Sequence, residues 1–229
     1  MHLSALLIHP VKSLRGCAVG SAAIDERGIV GDRRFMVTGP GGAFLTQRTL
    51  PRMALVATRL DDEHLTLHAA GHGSVRVRRA RDPGADRIRV NVWQSEGLLA
   101  EDCGEEAAAW LSGFLAGLND RLVESGAEAV PMDRFRPNLV IAGATPHAED
   151  AWNRVRIGDI FFRSAGPCAR CVVTTTDQET GERGPEPLRT LAGYRRDPAK
   201  PEDVNFGLNV IPETTGGTIR VGDPVTAYS

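Results

Sequence analysis

The sequence predicts a mostly β protein: a first β-barrel unit ending near residue 95, then a second β-barrel, with a linking helix. Three observations carry this. Short apolar or alternating runs recur along the chain, with Gly, Pro, Asn and Asp between them. Only one long stretch, after Asp102, keeps helical spacing. Many short strands with few helices fit barrels better than alternating βαβ units.

The elements follow in order. Residues 6–8 and 35–37 are apolar runs, and Gly39-Pro40-Gly41-Gly42 is a turn signal from which residues 43–47 return as a hairpin partner. Residues 53–60, 64–68 and 74–79 are the next strands, separated by Asp61-Asp62-Glu63 and Gly71-His72-Gly73. In 88–93, Ile88, Val90 and Val92 share one face. The unit boundary falls in 95–102, giving units 1–95 and 96–229. The period then changes. Trp110, Leu111, Phe114, Leu115 and Leu118 recur at helical spacing, with Asp102 as cap and Glu105 as its capping-box partner. Residues 139–142, 155–162 and the β-branched run 171–176 read as strands. A short helix fits 187–194, and late strands fit 206–211 and 218–221.

With 229 residues and 41% hydrophobic content, the chain can bury a sizeable core. A net charge of -2 excludes a generally basic nucleic-acid binder. Lys12 and Lys200 are the only lysines, so the cationic side chains are nearly all arginine, whose planar fork suits carboxylate or phosphate. No apolar run reaches transmembrane length, and residues 3–8 lack the basic leader of a signal peptide. A cytoplasmic protein without membrane contact is the expectation.

Four cysteines are no disulfide scaffold, but two stand as Cys168-Ala169-Arg170-Cys171. A thioredoxin-like pair opens a helix, whereas Val172-Val173-Thr174-Thr175-Thr176 favours a strand. Zinc wants four ligands, and the other two cysteines are remote singles. Small core residues, or one thiolate on a soft metal, are the two further readings. Spacing alone does not choose among the four.

The surrounding residues add a resemblance. Pro167-Cys168-Ala169-Arg170-Cys171 followed by Val172 to Asp177 resembles the signature of the MOSC family, the molybdenum-cofactor sulfurase C-terminal domain proteins. Arg134-Phe135-Arg136-Pro137-Asn138, Trp152, Ile157-Gly158-Asp159 and the stretch Gly217 to Val225 are similar to further family segments. His9-Pro10-Val11-Lys12-Ser13, Gly31-Asp32-Arg33-Arg34-Phe35 and Leu45-Thr46-Gln47-Arg48 resemble the N-terminal β-barrel domain that accompanies MOSC. The likeness runs in order over nearly the whole chain and extends to the amidoxime-reducing components.

The resemblance implies a molybdenum cofactor, the metal on a molybdopterin. Cys171 becomes the metal ligand and catalytic centre. Lys12, Ser13, Arg34, Arg136 and Asn138 become contacts to phosphate and pterin, with Ala169 and Arg170 beside the metal. It implies reduction of N-hydroxylated small molecules with electrons from an external iron–sulfur or flavin donor, since no ferredoxin-like cysteine set is present. Pyridoxal phosphate binding is a further family-level implication. Fuller members carry a few tens of residues more before the F-R-P-N segment, including an Asp-Ser pair on the cofactor. Here Leu118-Asn119-Asp120-Arg121-Leu122 follows the helix and Arg136 comes soon after, which, read as a true deletion, predicts a more open pocket. Physically, three charge-assisted bonds to phosphate give only about 5–9 kcal/mol before binding entropy is subtracted. Tight retention therefore also needs the pterin edge and the Cys171–metal bond.

Other candidates read as structural. His64, His68 and His72 are spaced by four but fall on strand and turn, as a solvated hairpin. Thr214-Thr215-Gly216-Gly217 reads as a turn rather than a phosphate nest. Asp177 either orients substrate or caps a turn. Besides the reductase, two other functions remain: a non-catalytic carrier of the cofactor or of sulfur on Cys171, and a barrel used only for protein contacts.

Overall fold

The structure, a computed structural model, describes residues 1–39, 41–80, 82–116 and 131–229, and of residues 113–116 the backbone alone. The side chains of Phe114 and Leu115, and the segment from Leu118 to Leu122, therefore lie outside the described residues.

The chain opens with β1 (His2–Ile8), β2 (Cys17–Ala18), β3 (Ser21–Asp25) and β4 (Gly28–Ile29). An antiparallel meander follows: β5 (Ala57–Leu60), β6 (His64–Ala69) and β7 (Gly73–Arg78). Next come the hairpin β8 (Arg87–Val92) and β9 (Ser95–Glu101), and the linking helix α1 (Glu105–Ala116). Beyond it lie β10 (Leu139–Ala142), β11 (Arg154–Ile157), β12 (Ile160–Arg170), the short helix α2 (Leu188–Ala192), β13 (Val204–Pro212), β14 (Thr218–Arg220) and β15 (Val225–Tyr228). The fold is mostly β with few helices, as expected.

Pairing crosses the sequence. β1 runs antiparallel to β10, with Leu6 opposite Leu139, and β3 runs antiparallel to β14, with Ala22 opposite Ile219. β13, β12, β11 and β15 form a four-stranded sheet in that order. One core therefore joins Leu3, Leu6, Ile8 and Ile24 to Val155, Ile157, Phe162 and Ile219. A second core gathers Val11, Leu14, Val37, Met53, Val56, Leu65, Leu67 and Val75, with Ala107 of α1. Each buried Val, Leu, Ile, Phe or Met side chain of these cores contributes about 1.5–3 kcal/mol. Trp110 docks α1 on the meander: its indole N–H donates to His72 O at 3.0 Å, and His72 Nε2 donates back to Trp110 O at 2.9 Å.

Several local expectations are corrected. The run 171–176 is not a strand: β12 stops at Arg170, and Val172–Thr175 is a 3-10 turn. The threonine hydroxyls are the cause. Thr174 Oγ1 donates to Cys171 O at 3.0 Å and Thr175 Oγ1 to Val172 O at 2.8 Å, a local alternative to strand pairing. Residues 35–37 and 43–47 make isolated bridges, Val11 with Phe35 and Thr38 with Phe44, instead of strands. The run 53–60 begins as a 3-10 turn, Pro51–Leu55, because Pro51 favours a helical first turn. Asp102 does not cap α1 directly. It accepts from Gly104 N–H at 2.9 Å, and Gly104, at φ 93°, delivers the chain into the helix. Residues 95–101 form β9, paired to β8.

Candidate functional site

One cavity of ≈ 800 Å³ is lined by Lys12, Ser13, Arg136, Asn138, Ala169, Arg170 and Cys171, bringing together residues far apart in the chain. Arg34 is not among them. Its guanidinium pairs with Asp25 at 3.0 Å, and the neighbouring Arg33 lines the cavity in its place.

The fold sets these residues by a bonded lattice. Arg33 ion-pairs with Asp32, and its Nη1 donates to Asn138 Oδ1 at 2.8 Å. Asn138 Nδ2 donates to Asp32 Oδ1 and to Leu7 O, both at 3.0 Å, tying the residue before β10 to β1. Asp32 Oδ1 also accepts from His9 N–H at 2.7 Å. Arg136 Nη1 donates to Leu14 O at 2.6 Å. Burial, then the nearby Arg33 charge, lowers the Arg136 guanidinium to about 10, with Asp32 acting in the opposite sense. Asp32 ion-pairs with Arg33, and among the described residues no carboxylate forms a salt bridge with Arg136, leaving unneutralised positive charge. Such an arrangement favours an anionic ligand.

Backbone strain concentrates here. Ser13, Arg33, Trp93, Arg136 and His147 are the non-glycine residues with left-handed φ among the described residues, at 65°, 51°, 58°, 50° and 64°. Every one of them lines the cavity. Each such residue costs about 1–3 kcal/mol and persists only where the surroundings enforce it, a pattern of functional sites. At Ser13 the enforcement is visible: fully buried Gln47 donates from Nε2 to Ser13 O at 2.9 Å.

Cys171 sits half-buried where β12 ends, its backbone extended (φ -119°, ψ 176°). Cys168, also half-buried, lines the same cavity. Arg170 braces this end. Its Nε donates to Phe206 O at 2.7 Å, its Nη1 donates to Phe135 O at 2.9 Å, and its guanidinium lies 5.5 Å from the Phe135 ring centroid. Burial lowers its pKa, while the two thiols act to raise it. Gly207 (φ 81°) makes room: a Cβ there would stand 3.1 Å from Arg170 Nη2. Phe135 and Phe206 stack at 4.4 Å and give this end an aromatic wall.

Other sequence candidates stay structural. Asp177 accepts from Glu179 and Thr180 N–H, both at 2.8 Å, and from Arg134 Nη2 at 2.6 Å. Burial alone would push its carboxyl up, but those bonds and the Arg134 charge hold it below the usual range. His68 bonds Ser74 Oγ at 3.0 Å and His72 bonds Trp110, so the histidine series does not converge. No group of three or more His, Cys, Asp or Glu among the described residues could hold a metal ion. A metal at Cys171 must therefore bring most of its ligands with it. No helix among the described residues is long and apolar enough to cross a membrane.

Arg33, Arg48, Trp93, His147 and Phe206 line the cavity without having been singled out as site residues by the sequence. For Arg33 and Arg48 a signal existed, since both lie in segments that carry the family likeness.

Residues 1–117 match the family described as MOSC N-terminal beta barrel domain, and residues 108–226 match the MOSC domain. The chain is 32% identical to mitochondrial amidoxime-reducing component 1 of Mus musculus, over 97% of this chain and 81% of that protein. The Homo sapiens counterpart is 30% identical over 97% and 82%. A molybdenum cofactor sulfurase of Oryza sativa subsp. japonica is 30% identical over 91% of this chain and 32% of its own length. The mouse alignment spans 277 residues against 229 in this chain, so that relative carries inserted residues.

Proposed function

The chain belongs to the MOSC family, and on that premise we propose that it is a molybdenum-cofactor oxidoreductase reducing N-hydroxylated compounds. The observation that carries the reading is convergence: the half-buried Cys168–Cys171 pair and the cationic set Lys12, Arg33 and Arg136 line one cavity. The relatives whose names concern amidoxime reduction and the molybdenum cofactor support it.

The residues fit the group. A phosphate-bearing pterin carrying its own dithiolene needs cations at one end and one protein thiolate at the other. Arg33, paired with Asp32, and Arg136 would hold the anionic end, with Lys12 and Ser13. Asn138, whose amide is already turned by Asp32 and Leu7, fixes Arg33 against that end. Cys171 would supply the protein ligand, and Ala169, without a bulky side chain, leaves space beside it. When bound, the molybdenum centre supplies two-electron chemistry and accepts oxygen.

The overall reaction cleaves the N–O bond with two electrons and two protons, leaving the amine or amidine and one water. The electrons come from a separate iron–sulfur or flavin donor. Phe135 and Phe206 give the cavity an apolar wall against which the substrate would pack. Purified protein from a molybdate-fed host, given an artificial electron donor and an amidoxime, tests the reading: amidine should form, and its absence with metal bound would leave a carrier.

A further inference from the structure

We propose that Arg48, held over Trp93, is a phosphate-binding residue at the rim of the cavity, acting with Lys12 on the anionic end of the bound cofactor. The proposal rests on the cofactor reading above and extends it to residues outside the family-implied contact set.

Four side chains form a continuous run along the rim. The Lys12 ammonium lies 5.7 Å from the Phe44 ring centroid. Phe44 meets Trp93 edge-on at 5.7 Å. The Arg48 guanidinium lies 4.3 Å over the Trp93 ring. All four residues line the cavity. Among the described residues, no carboxylate forms a salt bridge with Lys12 or Arg48. An aromatic face attracts a cation without neutralising it. Both charges are thus positioned and still available to an anion, and the fork of Arg48 suits phosphate oxygens.

The backbone under Arg48 is fixed as well. Its N–H donates to Thr46 Oγ1 at 2.8 Å, and Arg183 donates to the carbonyls of Arg48 and Gln47 at 3.2 and 2.6 Å. Trp93 is the less expected member. It opens the two-residue turn between Val92 and Ser95 at φ 58°, where Asn or Gly is favoured. It is also 61% exposed, so core burial does not explain a large ring there. Its evident role is as a positioning residue for Arg48.

The test uses the full chain, made in a host that cannot synthesise the cofactor and titrated with inorganic phosphate. Calorimetry gives affinity and tryptophan emission gives a local signal. Wild type should bind phosphate with a saturable emission change. Arg48→Gln should weaken binding about tenfold. Trp93→Phe should abolish the emission change and keep the affinity, because an aromatic shelf remains. Trp93→Ala should weaken binding as Arg48→Gln does. If Arg48→Gln binds as wild type does while Arg136→Ala weakens binding, the proposal falls and the cofactor reading stands. If wild type binds no phosphate, both fall.

Discussion

Arg33 and Asn138, 105 residues apart, are joined by a 2.8 Å hydrogen bond from the guanidinium to the side-chain carbonyl. That bond links the turn after β4 to the segment entering β10 and places a cation at the cavity. Its neighbour Arg34 reaches Asp25 instead, away from the cavity lining. Arg33→Ala should therefore lower molybdenum content severalfold in protein from a molybdate-fed host. Arg34→Ala should leave metal content intact and cost at most about 1 kcal/mol, as expected for a partly exposed pair. Metal analysis with urea unfolding separates the two; loss of metal in the Arg34 variant alone would reverse the assignment.

Adjacent arginines show where the sequence stops being legible. The family resemblance, not residue spacing, singled out Lys12, Ser13, Arg136, Asn138 and Cys171, and all five line the cavity. Resemblance could not say which of Arg33 and Arg34 turns inward, because the answer lies in a left-handed φ of 51° at Arg33. β9 was hidden for another reason: Ser95 to Leu99 are all exposed, so no alternating face marks it. The threonine run misled because β propensity competes with hydroxyl bonding to nearby carbonyls. Pairings such as β1 with β10 leave no local trace, since each strand reads the same whichever partner it takes.

His9 gives a pH dependence. It is 3% exposed, and burial, then the Arg136 and Arg33 charges, lower its pKa from 6.5 to about 2. Its Nε2 donates to Pro137 O at 3.3 Å, and its buried Nδ1 has no hydrogen-bond partner. Between those two values the unfolded chain binds a proton that the folded chain refuses. The folded state is unpenalised above pH 6.5 and loses up to about 1.4 kcal/mol per pH unit as pH falls through that window. Urea unfolding at about pH 7.5, 6 and 5 should show this slope in wild type and a shallower one in His9→Gln. Parallel slopes would remove His9 as the cause.

Gln47 should behave as a strut. Its Nε2 holds the Ser13 carbonyl, and its Oε1 receives Gln178 Nε2 at 3.4 Å. Gln47→Leu strands both partners in a buried site and should cost about 1–3 kcal/mol. Phosphate affinity should fall with it, as Ser13 relaxes from φ 65°. A stability loss with unchanged affinity would show that the strained serine conformation is irrelevant to anion binding.

Cys171 is proposed as the protein's ligand to the metal, and molybdenum bound per chain is the quantity that tests it. Wild type, Cys171→Ser and Cys168→Ser would be purified in parallel from a molybdate-fed host. Metal should be present in wild type and in Cys168→Ser and almost entirely lost in a folded Cys171→Ser protein. Full molybdenum in Cys171→Ser, or loss in Cys168→Ser alone, would overturn that assignment.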